Sequence, residues 1–230
     1  VVNSLVGVAL NFTPAYPGSG SEADLLAAQR HNGYVSGWFL DPIAGWGYPE
    51  HMVRLYGDLM PVFPSTDLDL IAAPIDVLGV NYYQRVLVVH EEQNGGILQL
   101  AHLERPGAFT ANREIFPKGL GDVLRDLHFH YGFQNLLVTD NGAAYQESPD
   151  ASGFVSDQNR IDFISDHLLE VARARADGIP VNGYFARSLL DGFEFSDGYT
   201  IRYGLCHVDL NTMKRTPKAS AHFLRSLRMD

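Results

Sequence analysis

Cysteine is nearly absent from this 230-residue chain: Cys206 stands alone, so no internal disulfide can form. Its neighbours, Tyr203-Gly-Leu-Cys-His-Val-Asp209, form an apolar strand-like run, which reads as a small buried hydrophobe rather than a reactive thiol. A reducing cytoplasm is the expected compartment. No charged leader followed by an apolar stretch is present, and no apolar run reaches the length of a membrane span. Positive charge is in short supply. Seventeen Lys and Arg against 27 Asp and Glu leave a net charge of −10. An acidic surface repels phosphate backbones and anionic lipid, so neither nucleic acid nor membrane is the expected partner. Nine histidines are scattered, and His128-Phe-His130 lacks a third ligand at metal spacing, so no metal or other cofactor is expected. No glycine loop fit to cradle phosphate follows any apolar run. Asn11-Phe-Thr13 matches a glycosylation sequon and is read as a chance match.

What the chain does contain is a globular composition, 46% hydrophobic and 19% charged residues. Four runs are near-continuously apolar: Leu5–Leu10, Asp76–Tyr83, Asn135–Asp140 and Val181–Leu190. Such runs fit parallel strands covered on both faces. Each meets polar residues at its end: Asn11, Asn81, Asp140 with Asn141, and Asp191. Helical stretches alternate with them. Glu22–Phe39 follows Ser21 as N-cap. Gly119–Tyr131 carries Leu120, Val123, Leu124 and Leu127 at helical spacing. Asp157–Ala176 opens on an N-cap aspartate with Ile161, Ile164, Leu168 and Val171 on one face. A last helix starts near Pro217 and runs to about Arg228.

This alternation predicts βαβ units and a parallel sheet, with the chemistry on one rim at the strand ends. Three long connections would shape that rim: Asp41–Thr66, Val86–Ala111 and Asp191–Leu210. The second contains a hairpin, with Val86–Val89 and Ile97–Leu100 flanking Asn94-Gly95-Gly96. With no repeat and no clear linker, the chain reads as a single domain. Four strands cannot close a barrel that needs eight, and they would leave two bare edges. Strand character also begins almost at the first residue, so a missing N-terminal part and some form of association are expected.

The motifs are more specific. Thr139-Asp-Asn-Gly-Ala-Ala-Tyr145 resembles the nucleophile motif of glycoside hydrolase family 1. Leu78-Gly-Val-Asn-Tyr-Tyr83 resembles the preceding strand motif. Gly183–Phe195 resembles the eighth strand and sugar-binding loop. Trp38–Pro42, Tyr48–Glu50, Tyr199–Gly204 and Lys214–Lys218 match in order. The resemblance implies an α/β fold, strands 5–8 and helices of a (β/α)8 TIM barrel, the C-terminal half. It implies a retaining β-glycosidase of β-glucosidase type acting on a β-glucoside or related small sugar. The acid/base glutamate of that family lies in an Asn-Glu-Pro motif, and this tripeptide occurs nowhere here.

By this resemblance Asp140 occupies the nucleophile position, where the family has glutamate. Its plain alternative is a strand-end aspartate capping a loop. Asn81, Tyr83, Arg187, Glu194, Phe195 and Tyr203 are the implied substrate-binding residues. Asn81 would donate to a 2-hydroxyl and Tyr83 would hydrogen-bond the carboxylate. Glu194 would accept from distal hydroxyls, or else is a solvated loop acid. Tyr82 is read as core. The family usually has Trp at Arg187 and Phe195, and commonly Asn at Gly192. Arg187 would set a permanent cation beside Asp140 and Glu194, able to pair with either. The expected reading is an impaired glycosidase part, completed by a complementary N-terminal half. The alternative is a non-catalytic half-barrel that self-associates as a dimer or higher homo-oligomer.

Overall fold

The computed structural model describes residues 4–111 and 113–227. Strand β1 (Gly7–Phe12) passes through the short β2 (Ala15–Pro17) to helix α1 (Glu22–Asn32). Ser21 caps α1 as expected, its hydroxyl accepting from the Asp24 N–H at 3.2 Å. The helix continues through a π-turn, Gly33–Gly37, into α2 (Trp38–Ile43). The expected loop from Asp41 to Thr66 instead holds α3 (Glu50–Tyr56) and the start of α4 (Ser65–Ile71). Pro49 and Pro64 made this stretch read as irregular, yet both sit at helix entrances. A proline there sacrifices no hydrogen bond, because the first N–H groups of a helix have no intrahelical partner.

Strand β3 (Val77–Tyr82) is followed by the hairpin of β4 (Val86–His90) and β5 (Leu100–Leu103). The second hairpin strand was expected at Ile97–Leu100. Gly96–Leu98 instead form a 3-10 turn, and Gly96 and Gln99 both take left-handed backbone (φ 59° and 49°), which no strand can hold. Helix α5 (Pro117–Arg125) runs into a second π-turn, Asp126–His130, ahead of β6 (Leu136–Asn141). Helix α6 (Gln158–Ala176) and β7 (Val181–Ala186) come next, then the antiparallel pair β8 (Cys206–Val208) and β9 (Arg215–Pro217), and α7 (Ala219–Ser226). Pro217 closes β9 instead of opening the last helix, because Arg215–Pro217 pair with β8. Arg228, the expected helix end, lies outside the described residues. Cys206 sits in β8 and is only partly buried.

The main sheet has the order β1-β3-β6-β7, all parallel, each strand beside the one that follows it in this set. One face carries Leu78, Val80, Tyr82, Leu136, Val138 and Val181 against Leu120, Val123, Leu124 and Leu127 of α5 and its π-turn and Val171 and Ala174 of α6. Each such fully buried aliphatic side chain contributes roughly 1.5–3 kcal/mol. Tyr82 is core as expected, its hydroxyl donating to the Phe116 carbonyl at 2.6 Å. The buried face of α6 is rotated from the one expected. It runs through Arg160, Phe163, Ile164, His167 and Val171, while Ile161 and Leu168 are only half-buried. Alternate strand residues turn to the other face. Thr139 donates to Asn81 at 2.7 Å and Asn81 to Asn11 at 3.0 Å, forming a polar row across three strands. Among the described residues neither β1 nor β7 has a strand on its outer edge. Leu5, Val6, Phe185 and Leu189 stand exposed beside those edges. No described helix is long and apolar enough to cross a membrane.

Candidate active site

The C-terminal ends of β3, β6 and β7 converge, and backbone contacts set how closely. Asn141 Nδ2 donates to the Tyr82 carbonyl at 2.7 Å, and the Tyr184 hydroxyl donates to Asn141 Oδ1 at 2.5 Å. The Arg187 N–H reaches the Asn141 carbonyl at 2.9 Å. Gly142 lies against the same segment. A Cβ there would sit 2.2 Å from the Arg187 carbonyl oxygen, so only glycine allows this approach. The loop after β7 returns through Ser188, whose N–H donates to the Tyr203 carbonyl at 3.1 Å. The Arg187–Ser188 peptide bond is cis.

These constraints gather Asp140, Tyr83, Arg187, Glu194 and Tyr203. Arg187 Nη2 donates to Glu194 Oε2 at 2.6 Å, and its Nη1 lies 3.6 Å from Asp140 Oδ2. Arg187 therefore faces both carboxylates at once, with its guanidinium carbon 5.0 Å from the centre of the Tyr203 ring. Burial works against the Arg187 charge, but Tyr83, Glu194 and Asp140 together outweigh it and raise its pKa. The Tyr83 and Tyr203 rings meet edge to face at 6.4 Å. The Tyr83 hydroxyl is shut off from solvent without a hydrogen bond of ordinary geometry. Burial first, then the Asp140 carboxylate beside it, raise its pKa.

Two residues depart from this grouping. Asn81 spends its side chain on Asn11 and Thr139. Phe195 is 100% exposed, its ring edge-on to that of Phe193 with centres 6.0 Å apart. Its loop turns out at Glu194, whose N–H and carbonyl both bond Gly198.

Two further residues serve this site without any motif to mark them. Arg113 lays its guanidinium carbon 4.0 Å from the Tyr83 ring centre and 5.9 Å from that of Tyr203. Arg160, buried at the start of α6, donates to the carbonyls of Ala143, Arg202 (3.0 Å) and Tyr203 (3.1 Å), and to Glu147 and Asp157. Asp157 stands at the N-cap of α6, yet its carboxylate does not cap the helix; it binds Arg160 and Ser220. The one available signal for Arg160 was its place on the buried stripe of an amphipathic helix, where an unpaired charge would be costly. Lys218, also fully buried, joins Glu147 (2.8 Å) to Asp191 (3.0 Å).

A separate cavity of about 530 Å³ lies between α1 and α5, lined by Tyr16, Asp41, Trp46, His51 and Asp122 among others. It shares no residue with the Asp140 group. Among the described residues no three His, Cys, Asp or Glu are placed to hold a metal.

A parallel sheet with helices packed on one face and acidic groups at the strand ends is the arrangement of part of a (β/α)8 barrel. The family model described as glycosyl hydrolase family 1 matches residues 1–230, and the chain belongs to that family. It is 37% identical over 226 residues to a β-glucosidase of Agrobacterium sp., covering 96% of this chain and 49% of that protein. It is 32% identical to β-glucosidase A of Acetivibrio thermocellus, covering 98% of this chain and 51% of the relative. The family 1 β-glucosidase of Thermotoga maritima in complex with deoxynojirimycin superposes with a TM-score of 0.92 at 32% identity, over 97% of this chain and 50% of that one. The chain thus spans about half the length of the curated relatives it matches.

Proposed function

We propose that this chain is the C-terminal half of a retaining β-glucosidase-like enzyme, bearing the nucleophile position and part of the sugar site, and that it is inactive or very weak alone. The observation that carries this reading is the placement of Asp140 at the end of β6, beside Tyr83 and facing Arg187. Retaining hydrolysis of an O-glycosidic bond needs two carboxyl groups about 5–5.5 Å apart. One attacks the anomeric carbon. The other protonates the departing oxygen and then activates water. Asp140 would be the attacking group, one methylene shorter than the family's glutamate. A setback of roughly 1 Å can cost on the order of a hundredfold in rate. Glu194 does not supply the second group in this reading: it is tied to Arg187 and takes the role of accepting from sugar hydroxyls. Arg187 faces Asp140 across 3.6 Å and fills space where a flat sugar face would lie.

The acid/base carboxyl would come from a complementary N-terminal half carrying Asn-Glu-Pro. The bare edges of β1 and β7 and the exposed Leu5, Val6, Phe185 and Leu189 fit such a completion. They equally fit the second reading, a non-catalytic half-barrel that covers its own edges by self-association. The test is complementation with the N-terminal half of a family member. Hydrolysis of 4-nitrophenyl β-D-glucoside that needs both pieces and is lost in Asp140→Ala supports the first reading. A complex that forms and stays inactive even with Asp140→Glu supports the second.

A further inference from the structure

We propose that Arg113 makes this site selective for β-glycosides that carry an anionic group, a carboxylate in the first instance; the inference rests on the glycosidase reading above. The backbone around Arg113 is held by a tight turn. Thr110 N–H donates to the Arg113 carbonyl at 2.8 Å, and the Arg113 N–H donates to Thr110 Oγ1 at 3.2 Å. This turn lays the guanidinium over the face of Tyr83, 4.0 Å from the ring centre. A ring face orients a cation and attracts it weakly; it does not neutralise it. Among the described residues no carboxylate lies within the 4.0 Å of an ion pair with Arg113.

The contrast with Arg187 decides the assignment. Arg187 is shared between Asp140 and Glu194, so its charge is already answered. Arg85, three residues from Asn81's neighbour Tyr82, is likewise answered by Glu114 at 3.1 Å. Arg113 has no ion-pair partner among the described residues and stands one ring away from the group that Asp140 joins. Arg105 adds a second: it bonds Gln84 and the Arg85 carbonyl and also faces no carboxylate within ion-pair distance among the described residues. In a chain of net charge −10, two guanidinium groups without an ion-pair partner among the described residues stand beside Tyr83–Arg85, a positive excess offset only in part by the carboxylate left over where Arg187 serves both Asp140 and Glu194. A neutral sugar makes no use of such a field. A carboxylate brought across Tyr83 would meet the planar fork of Arg113 edge-on and accept two charge-assisted hydrogen bonds.

Saturation-transfer NMR on the chain, in low-salt buffer, tests this with phenyl β-D-glucoside, 4-carboxyphenyl β-D-glucoside and phenyl β-D-glucuronide. At least one of the two anionic ligands is expected to bind about tenfold tighter than the neutral one, as a charge-assisted contact gives. The advantage should vanish in Arg113→Gln, persist in part in Arg113→Lys, and shrink with added salt. Preference for the carboxyphenyl compound places the anion on the leaving group, and preference for the glucuronide places it on the sugar. Equal binding of neutral and anionic ligands by the wild-type chain, or an unchanged ratio in a folded Arg113→Gln chain, overturns the inference while the sugar site stands. Failure of all three ligands to bind removes the sugar-site reading, and this inference with it.

Discussion

Arg160 donates a hydrogen bond to the carbonyl of Tyr203, 43 residues further along, at 3.1 Å from within a nearly solvent-free pocket. The same guanidinium reaches Ala143, three residues past Asp140. One buried cation thus joins the end of β6 to the loop that closes the site. Its charge is balanced by Asp157 and Glu147, and Lys218 extends the network to Asp191.

Removing Arg160 should therefore unfold the rim rather than merely weaken it. Arg160→Met takes a charged donor from two carboxylates and three carbonyls in a dry site, leaving Asp157 only Ser220 and Glu147 only Lys218. Breaking a buried pair in this way costs about 3–5 kcal/mol. In a chain of this size that lowers Tm on the order of 10 °C, which thermal unfolding by circular dichroism will show. Arg160→Lys should retain part of the loss, since one ammonium cannot span all five partners. A Tm within a degree or two of wild type in the Met variant would mean the network is not structural.

Acid should destabilise the fold through its buried histidines. His167 is enclosed between Phe163 and Tyr82, and burial lowers its pKa from 6.5 to about 4; His31 is lowered to about 4 by burial and then by His102. The folded chain keeps both imidazoles neutral while the unfolded chain protonates them. Stability is complete above pH 6.5, falls as pH drops from 6.5 toward 4, and loses no more from this source below that. His167 alone accounts for about 3 kcal/mol across the window. Urea midpoints measured from pH 7.5 to 4 should show a shallower slope in His167→Gln than in wild type. Parallel slopes would place the acid sensitivity elsewhere.

Open edges predict assembly. With no strand on the outer edges of β1 and β7 among the described residues, and apolar side chains beside them, the isolated chain should run as a dimer or larger species in light scattering at micromolar concentration. A clean, long-lived monomer would show that the edges are tolerated as they stand.

The first three strands of the sheet were legible within a residue or two from their near-continuous apolar runs, while the fourth run, Val181–Leu190, overshot the observed strand, which ends at Ala186. The grouping of Asp140 with Tyr83, Arg187 and Glu194 was legible from ordered motifs alone. Helices α3 and α4 were not, since proline at a helix entrance looks the same in sequence as proline in a loop. Arg113 and Arg160 were missed for a different reason: their partners lie 30 to 43 residues away, at Tyr83 and Tyr203, and only the folded chain brings them together. Phe195, implied as a substrate-binding residue by its motif, stands in solvent beside the turn from Glu194 to Gly198, a placement the motif does not reveal.

Whether this polypeptide can break a glycosidic bond unaided separates an active enzyme from an incomplete one. The direct measurement is release of 4-nitrophenol from 4-nitrophenyl β-D-glucoside by the isolated Asp140→Glu chain, which restores the longer nucleophile. A rate indistinguishable from the Asp140→Ala chain is predicted, because the proposed reading assigns the acid that protonates the leaving oxygen to the complementary half. Turnover clearly above that control, retained after removal of any accompanying polypeptide, would contradict it.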